Sequence, residues 1–210
     1  MHFAREGYPW ILGLGVVSFV LGLLHLQSLS LLFLAFALFA AVFFRDPERE
    51  IPPGEKVIVS PADGRVVALE KGPWEERFLR APASRVSIFM SPFDVHVNRI
   101  PVSGRVTQVH YQTGQFRAAF VPEASSVNEQ NAVLIEDRLG HKVLLVQVAG
   151  MVARRIFCSL KGGEEVTRGE RYGMIAFGSR VDLYHSPEVV LRVQVGERVR
   201  AGETIIGEYP

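Results

Sequence analysis

Between Trp10 and Phe44 the chain is apolar almost without interruption and carries no Lys, Arg, Asp or Glu. A hydrocarbon layer about 30 Å thick is crossed by about 20 apolar residues in a helix, so this run is long enough to enter a membrane and too long for a single crossing. Its least apolar stretch, His25-Leu26-Gln27-Ser28-Leu29-Ser30, divides it into two arms of roughly 15 residues, short by the usual length rule. The pattern predicts an N-terminal hydrophobic helical hairpin over residues 1–44, acting as a membrane anchor. A cleaved secretory signal fits less well, because its apolar core is shorter and no small-residue cleavage site with a polar start follows the run.

After Phe44 the pattern changes. Residues 45–54, Arg-Asp-Pro-Glu-Arg-Glu-Ile-Pro-Pro-Gly, are polar and proline-rich, cannot continue a helix, and read as a linker. From residue 55 to 210 short β-branched runs alternate with glycine and proline: Val57–Val59, Arg65–Leu69, Val86–Met90, Gly104–Tyr111, Ala132–Glu136, Lys142–Val148 and Val189–Val195. No segment there holds a helical period for more than a few residues. The expected fold is mostly β, a sandwich or partly closed barrel of short strands.

An internal repeat supports that expectation. Gly163-Glu-Glu-Val-Thr-Arg-Gly169-Glu170 recurs as Gly196-Glu-Arg-Val-Arg-Ala-Gly202-Glu203, placing glycines where hairpins need positive φ, as in the lipoyl and biotinyl carrier modules that the repeat resembles. Such carriers modify a lysine at a hairpin tip. None of Lys56, Lys71, Lys142 or Lys161 has the flanking residues of a carrier lysine, so the architecture is expected without that function.

Composition narrows the function classes only slightly. With 23 basic and 22 acidic residues the net charge is +1, which offers no electrostatic case for a nucleic-acid partner. Cys158 is the single cysteine, excluding an intrachain disulfide and any multi-cysteine metal site; it reads as a small buried residue. Arg5 precedes the apolar run and Arg45, Arg49 and Lys56 follow it, so the positive-inside tendency puts both ends of the hairpin in the cytoplasm.

Three stretches could carry chemistry. Ser60-Pro61-Ala62-Asp63-Gly64 sets a carboxylate in a turn, although Asp-Gly is also a common turn dipeptide. Ser91-Pro92-Phe93-Asp94-Val95-His96-Val97-Asn98-Arg99 gathers a carboxylate, an imidazole, an amide and a guanidinium; strand alternation sets Asp94, His96 and Asn98 on one face, where a neutral His96 could accept a proton. A strand with a merely solvated polar face reads equally well. In Phe177-Gly178-Ser179-Arg180-Val181-Asp182 a Gly-Ser pair interrupts a strand-like run, which by itself is an ordinary turn or bulge.

Taken in order, these motifs, with Phe-Phe-Arg-Asp-Pro-Glu-Arg at 43–49 and Asn-Glu-Gln-Asn at 128–131, resemble the short, archaeal-type form of phosphatidylserine decarboxylase. The resemblance spans nearly the whole chain. It implies that the Ser179 hydroxyl attacks the Gly178 carbonyl, turning the amide into an ester. It implies a relay in which His96 takes the Ser179 proton and Asp63 orients the imidazole. Elimination then leaves a β chain of residues 1–178, which stays associated with an α chain, 179–210, that begins with a covalent pyruvoyl cofactor derived from Ser179. The ketone would form a Schiff base with the serine amine of a phospholipid substrate in the membrane and act as electron sink for decarboxylation, with no metal required. Asn98, Arg154 and Arg155 are the candidate substrate-binding residues, the arginines for the phosphodiester or the departing carboxylate.

One position departs from the pattern of longer family members, which carry a second histidine where Arg99 stands. Arginine is no base at neutral pH, so either His96 serves both cleavage and decarboxylation or His110, His141 or His185 takes a share. Other classes remain open on the residues alone: a noncatalytic membrane adaptor with a lipoyl-like domain, which predicts an intact chain, and a pyruvoyl-dependent decarboxylase of a soluble amino acid, which would not need the apolar run. A zinc peptidase would want a close pair of ligands, and the histidines are too scattered to supply it. Homo-oligomerisation is left open by the sequence.

Overall fold

The computed structural model describes residues 2–72, 74–115, 127–150, 155–176 and 179–210, and divides into two compact units, up to Glu48 and Arg49–Pro210. The first is the expected helical hairpin. A two-residue strand β1 (His2–Phe3) and a 3₁₀ turn (Arg5–Gly7) lead into α1 (Tyr8–Leu23) and α2 (Gln27–Phe43), after which β2 (Arg45–Asp46) pairs antiparallel with β1. The reversal is made by residues 24–26, with His25 at φ 60°, so the polar Gln27, Ser28 and Ser30 lie inside α2 rather than in the turn. The helices are tied by reciprocal bonds, Ser18 Oγ to Ser30 O and Ser30 Oγ to Ser18 O, each 2.8 Å. Trp10, Phe19, Leu31 and Leu38 are exposed. Outward apolar side chains around both helices suit a hydrocarbon solvent. The segment Arg5–Leu23, at 19 residues and mean hydropathy 1.4, is long and apolar enough to cross a membrane, whereas α2 has 17 residues, about 26 Å of helix.

The second unit is almost entirely β. Its strands are β3 (Val57–Val59), β4 (Gly64–Glu70), β5 (Trp74–Glu75), β6 (Ala81–Pro82), β7 (Ser84–Met90), β8 (Val97–Arg99), β9 (Gly104–Gln112), β10 (Gln130–Asp137), β11 (Lys142–Val148), β12 (Ile156–Cys158), β13 (Glu165–Val166), β14 (Arg171–Ile175), β15 (Ser179–His185), β16 (Val190–Leu191), β17 (Arg198–Val199) and β18 (Ile205–Glu208). Eight form one antiparallel sheet in the order β13-β9-β10-β11-β15-β7-β4-β17, curled as a half-barrel. Two three-stranded sheets, β12-β14-β8 and β16-β18-β3, accompany it. The continuous apolar runs in β10 and β11 are explained by burial on both faces. Val133, Ile135, Val143 and Leu145 enter the main core with Ile58, Ile88, Tyr172 and Leu183, while Ala132, Leu134, Leu144 and Val146 pack beneath Phe78 and Leu79.

The glycine repeat is half of a larger internal duplication. Gly163, Gly169, Gly196 and Gly202 all have φ between 79° and 95°. Gly163 N donates to Val106 O (2.7 Å) as Gly196 N does to Val66 O (2.8 Å), and Gly169 N to Ile100 O as Gly202 N to Ser60 O, both 2.8 Å. The partner strands repeat as well: Pro61-Ala-Asp-Gly-Arg-Val66 corresponds to Pro101-Val-Ser-Gly-Arg-Val106. The halves meet through reciprocal bonds, Val59 N to Pro101 O at 3.0 Å and Arg99 N to Pro61 O at 2.9 Å. Only one stretch expected as strand is largely something else. Of Val189–Val195, Val190–Leu191 alone is strand, with Arg192 N still donating to Ile206 O at 2.9 Å; beyond it Glu197 accepts the Gln194 N–H at 3.0 Å and closes a turn. Cys158 lies half-buried on β12 against the core, and burial pushes its thiol pKa up.

Candidate functional site

The site is built where β8 meets β14 and the start of β15. β8 pairs antiparallel with β14, Val97 with Met174 and Asn98 with Gly173, and the fully buried His96 accepts a hydrogen bond from Ile175 N at 3.4 Å through its backbone carbonyl. That register delivers His96 to the strand end from which the chain passes to Ser179. Ser179 opens β15, pairs with Met90 of β7, and is fully buried. Among the described residues its Oγ has no hydrogen-bond partner. Gly178 and Arg154 lie outside the described residues. Arg155 is exposed, and its carbonyl accepts from Ala176 N at 3.4 Å, which puts its backbone beside the same strand end.

Asn98 shares the face of His96 but is sealed in the interior rather than presented to solvent. Its Nδ2 donates to Met90 Sδ at 3.6 Å, and its Oδ1 accepts from Gln147 Nε2 at 2.9 Å. Gln147 in turn accepts from Asn131 Nδ2 at 2.9 Å and also donates to Phe157 O at 3.4 Å. Asn98, Gln147 and Asn131 are all buried, and hydrogen-bonded buried amides fix one arrangement of the core. Gly173 makes room for them: a Cβ there would sit 2.2 Å from Phe157 O and 3.1 Å from Gln147 Nε2.

Asp63 belongs to a neighbouring cluster. Arg49 donates to both its oxygens, at 3.0 and 2.8 Å, and Ala201 N donates to Oδ1 at 2.8 Å; His96 is not among its hydrogen-bond partners. The duplication explains the Ala201 bond, since in the other half Arg168 N donates to Ser103 Oγ at 2.9 Å. Asp63 is therefore a turn cap first, and what sets it apart is the buried carboxylate with its arginine. Burial raises its pKa above the ordinary 3.8, opposed by Arg49 and the Ala201 N–H. Asp94 likewise serves its own turn, accepting from Ser91 N (2.8 Å) and Ser91 Oγ (2.7 Å), with Arg198 at 3.5 Å.

Arg99, at the position of the second histidine, is buried and donates through Nη1 to Gly169 O at 2.9 Å, so it secures a turn of the glycine repeat. The other histidines are elsewhere. His185 ends β15, six residues beyond Ser179 and so about 20 Å along the strand; its Nδ1 meets Ser186 O at 2.8 Å and burial lowers its pKa. His141 stacks on Tyr209 with centroids 3.8 Å apart and pairs with Asp137 at 2.9 Å. His110 packs on Phe78. The sequence reading missed Arg49 as a partner of Asp63 and missed Gln147, although a lone amide in the apolar run Val143–Val148 was a usable signal.

Comparison with known proteins agrees with this arrangement of motifs. The profile of the family described as phosphatidylserine decarboxylase matches residues 36–207. The chain is 44% identical over 207 residues to a phosphatidylserine decarboxylase proenzyme of Syntrophus aciditrophicus (strain SB), covering 98% of this chain and 97% of the relative. It is 46% identical over 205 residues to the proenzyme of that name from Syntrophotalea carbinolica, covering 97% and 95%. A Burkholderia pseudomallei proenzyme of the same name is 44% identical over 209 residues, covering 99% and 95%.

Proposed function

The chain belongs to the phosphatidylserine decarboxylase family, and from that premise we propose that it is made as a proenzyme, cuts itself between Gly178 and Ser179, and then converts phosphatidylserine to phosphatidylethanolamine and CO2. The observation that carries the reading is the buried Ser179 Oγ with no partner among the described residues. Leaving such a hydroxyl unsatisfied costs about 1–3 kcal/mol, and a fold that retains it at the start of a central strand has a use for the lone pairs.

In this reading Ser179 Oγ adds to the Gly178 carbonyl carbon while its proton passes to His96, the histidine that the β8–β14 register carries to this strand end. The C–N bond then breaks, the amide nitrogen takes a proton, and an ester remains. Asp63 supports His96 by charge rather than by a direct hydrogen bond, its oxygens being held by Arg49 and Ala201. Elimination from the ester frees the Gly178 carboxylate, and hydrolysis with loss of ammonia leaves a pyruvoyl group on residue 179. A ketone needs no donor of its own and suits a position paired with Met90, which the Asn98 amide contacts. The pyruvoyl group supplies the electron sink for the pair released with CO2. Arg154 and Arg155 take the phosphodiester or carboxylate of the lipid, and Asn98 is the inner polar group offered to it.

Cleavage leaves the two chains together, because β15 remains hydrogen-bonded to β11 on one side and β7 on the other. The apolar hairpin holds the enzyme at the cytoplasmic face of the cell membrane, where its two-chained substrate resides. The test is Ser179→Ala: the variant stays one chain and forms no phosphatidylethanolamine from phosphatidylserine vesicles, while the wild type separates into two chains and does. A Ser179→Ala protein that is cut, or is active, removes the reading.

A further inference from the structure

The side chains Asn131, Gln147 and Asn98 form a one-directional series of amide hydrogen bonds that ends at Met90, the strand partner of Ser179, and two of the three have no part in the function proposed above. Each amide donates to the next: Asn131 to Gln147, Gln147 to Asn98, and Asn98 to Met90 Sδ. An amide can be turned end for end at little cost unless its neighbours fix it. Here the direction is fixed at Gln147, whose Nε2 also faces the carbonyl of Phe157 at 3.4 Å. A carbonyl can only accept, so the Gln147 nitrogen must stay on that side, and Asn98 must turn its oxygen toward Gln147. Its NH₂ is thereby committed to the side of Met90, the residue paired with Ser179 across β7 and β15.

A thioether is a weak acceptor, so this buried NH₂ is under-used in the resting chain. We propose that Asn98 is the donor that stabilises the oxyanion produced when Ser179 reacts, and that Gln147 and Asn131 are positioning residues that hold its amide the right way round. In the step concerned, the Ser179 Oγ–Gly178 carbon bond forms, the carbonyl electron pair moves to oxygen, and the hydroxyl proton goes to His96. The Asn98 N–H exchanges its sulfur contact for that oxygen. The C–N bond then breaks as the oxyanion collapses, and the released nitrogen is protonated. Removing one such donor from a preorganised site costs roughly 100-fold or more in rate. Gly173, opposite Asn98, has no side chain to obstruct the series.

The inference rests on the self-cleavage reading and is tested on the full chain by following conversion of precursor into chains 1–178 and 179–210 by intact mass, a measurement independent of decarboxylation. Asn98→Asp keeps the acceptor for Gln147 and loses the donor; it is expected to cleave about 100-fold more slowly. Gln147→Leu, which frees Asn98 to turn over, is expected to cleave more slowly while its thermal unfolding still reports a folded protein. Gln147→Glu supplies a readout that a packing role would not move: only the protonated carboxyl can donate to Asn98, so cleavage is expected at low pH and is lost as pH rises, with no matching loss in the wild type. Wild-type cleavage rates in Asn98→Asp, or a Gln147→Glu pH profile parallel to the wild type, overturn the inference. A wild-type chain that never cleaves instead removes the reading beneath it.

Discussion

Arg49 and Asp63 form a buried ion pair in the second unit, and breaking it has an effect of definite size. Their side chains are 6% and 13% exposed, and among the described residues the carboxylate has, apart from Arg49, only the Ala201 N–H as a hydrogen-bond partner. Removing one partner of such a pair leaves a buried charge uncompensated and costs about 3–5 kcal/mol. At about 2–4 °C per kcal/mol for a chain of this size, Arg49→Gln should lower the unfolding midpoint by roughly 6–20 °C. The assay is circular dichroism in detergent on a Ser179→Ala background, so that one unbroken chain unfolds. Adding Asp63→Asn should recover about 2 kcal/mol or more, because the orphaned charge is gone. The sign of the pH effect follows from burial having raised the Asp63 pKa. Its contribution to stability is full below the unfolded value, about 3.9, and is lost as pH rises through the folded value. Without Arg49 the folded value moves higher still, so the deficit of Arg49→Gln should be larger at pH 8 than at pH 5. Effects of the two substitutions that add within about 0.5 kcal/mol, or a deficit independent of pH, would show that Arg49 does not compensate a buried Asp63 charge.

Gly173→Ala drives a methyl to within 2.2 Å of the Phe157 carbonyl; overpacking of this kind costs about 1–3 kcal/mol, and self-cleavage followed on gels should slow along with the fall in midpoint. His185, buried and held neutral with a lowered pKa, contributes stability that is present above its unfolded pKa, about 6.5, and is lost as pH falls through the folded value. His185→Gln should therefore flatten the acid side of a stability profile below about pH 6.5, and an unchanged acid limb would contradict the assignment. If the proposed anchor attaches by apolar surface, vesicle flotation of the full chain should persist in about 1 M salt, where the Debye length is about 3 Å; release by salt would point to electrostatic binding instead.

Much of the fold was legible because period and punctuation agree. The apolar run gave the hairpin, and the strands around Val57, Val86, Gly104 and Lys142 follow from β-branched runs bounded by glycine and proline. The glycine repeat was visible, but its other half was not. Pro61–Val66 and Pro101–Val106 sit 40 residues apart and keep only the positions that turn or pack. At the site, linear motifs brought Ser179 and His96 forward and put Asp63 beside His96. Space instead gives Asp63 to Arg49, which the sequence offers as a charge following the apolar run and as the last residue of the 43–49 motif. Strand alternation put Asn98 with His96, yet it could not reveal that Gln147, on a strand 49 residues later, would decide which end of the Asn98 amide faces Met90.

Self-cleavage is recorded in the chemical identity of residue 179 in the active protein, and the mass of the smaller chain reads it directly. A fragment of residues 179–210 is expected that is lighter than a serine-headed chain by the mass of ammonia and gains mass when treated with a carbonyl reagent as activity is lost. An active preparation whose residue 179 keeps an ordinary amine and hydroxyl, or whose chain is whole, would contradict it.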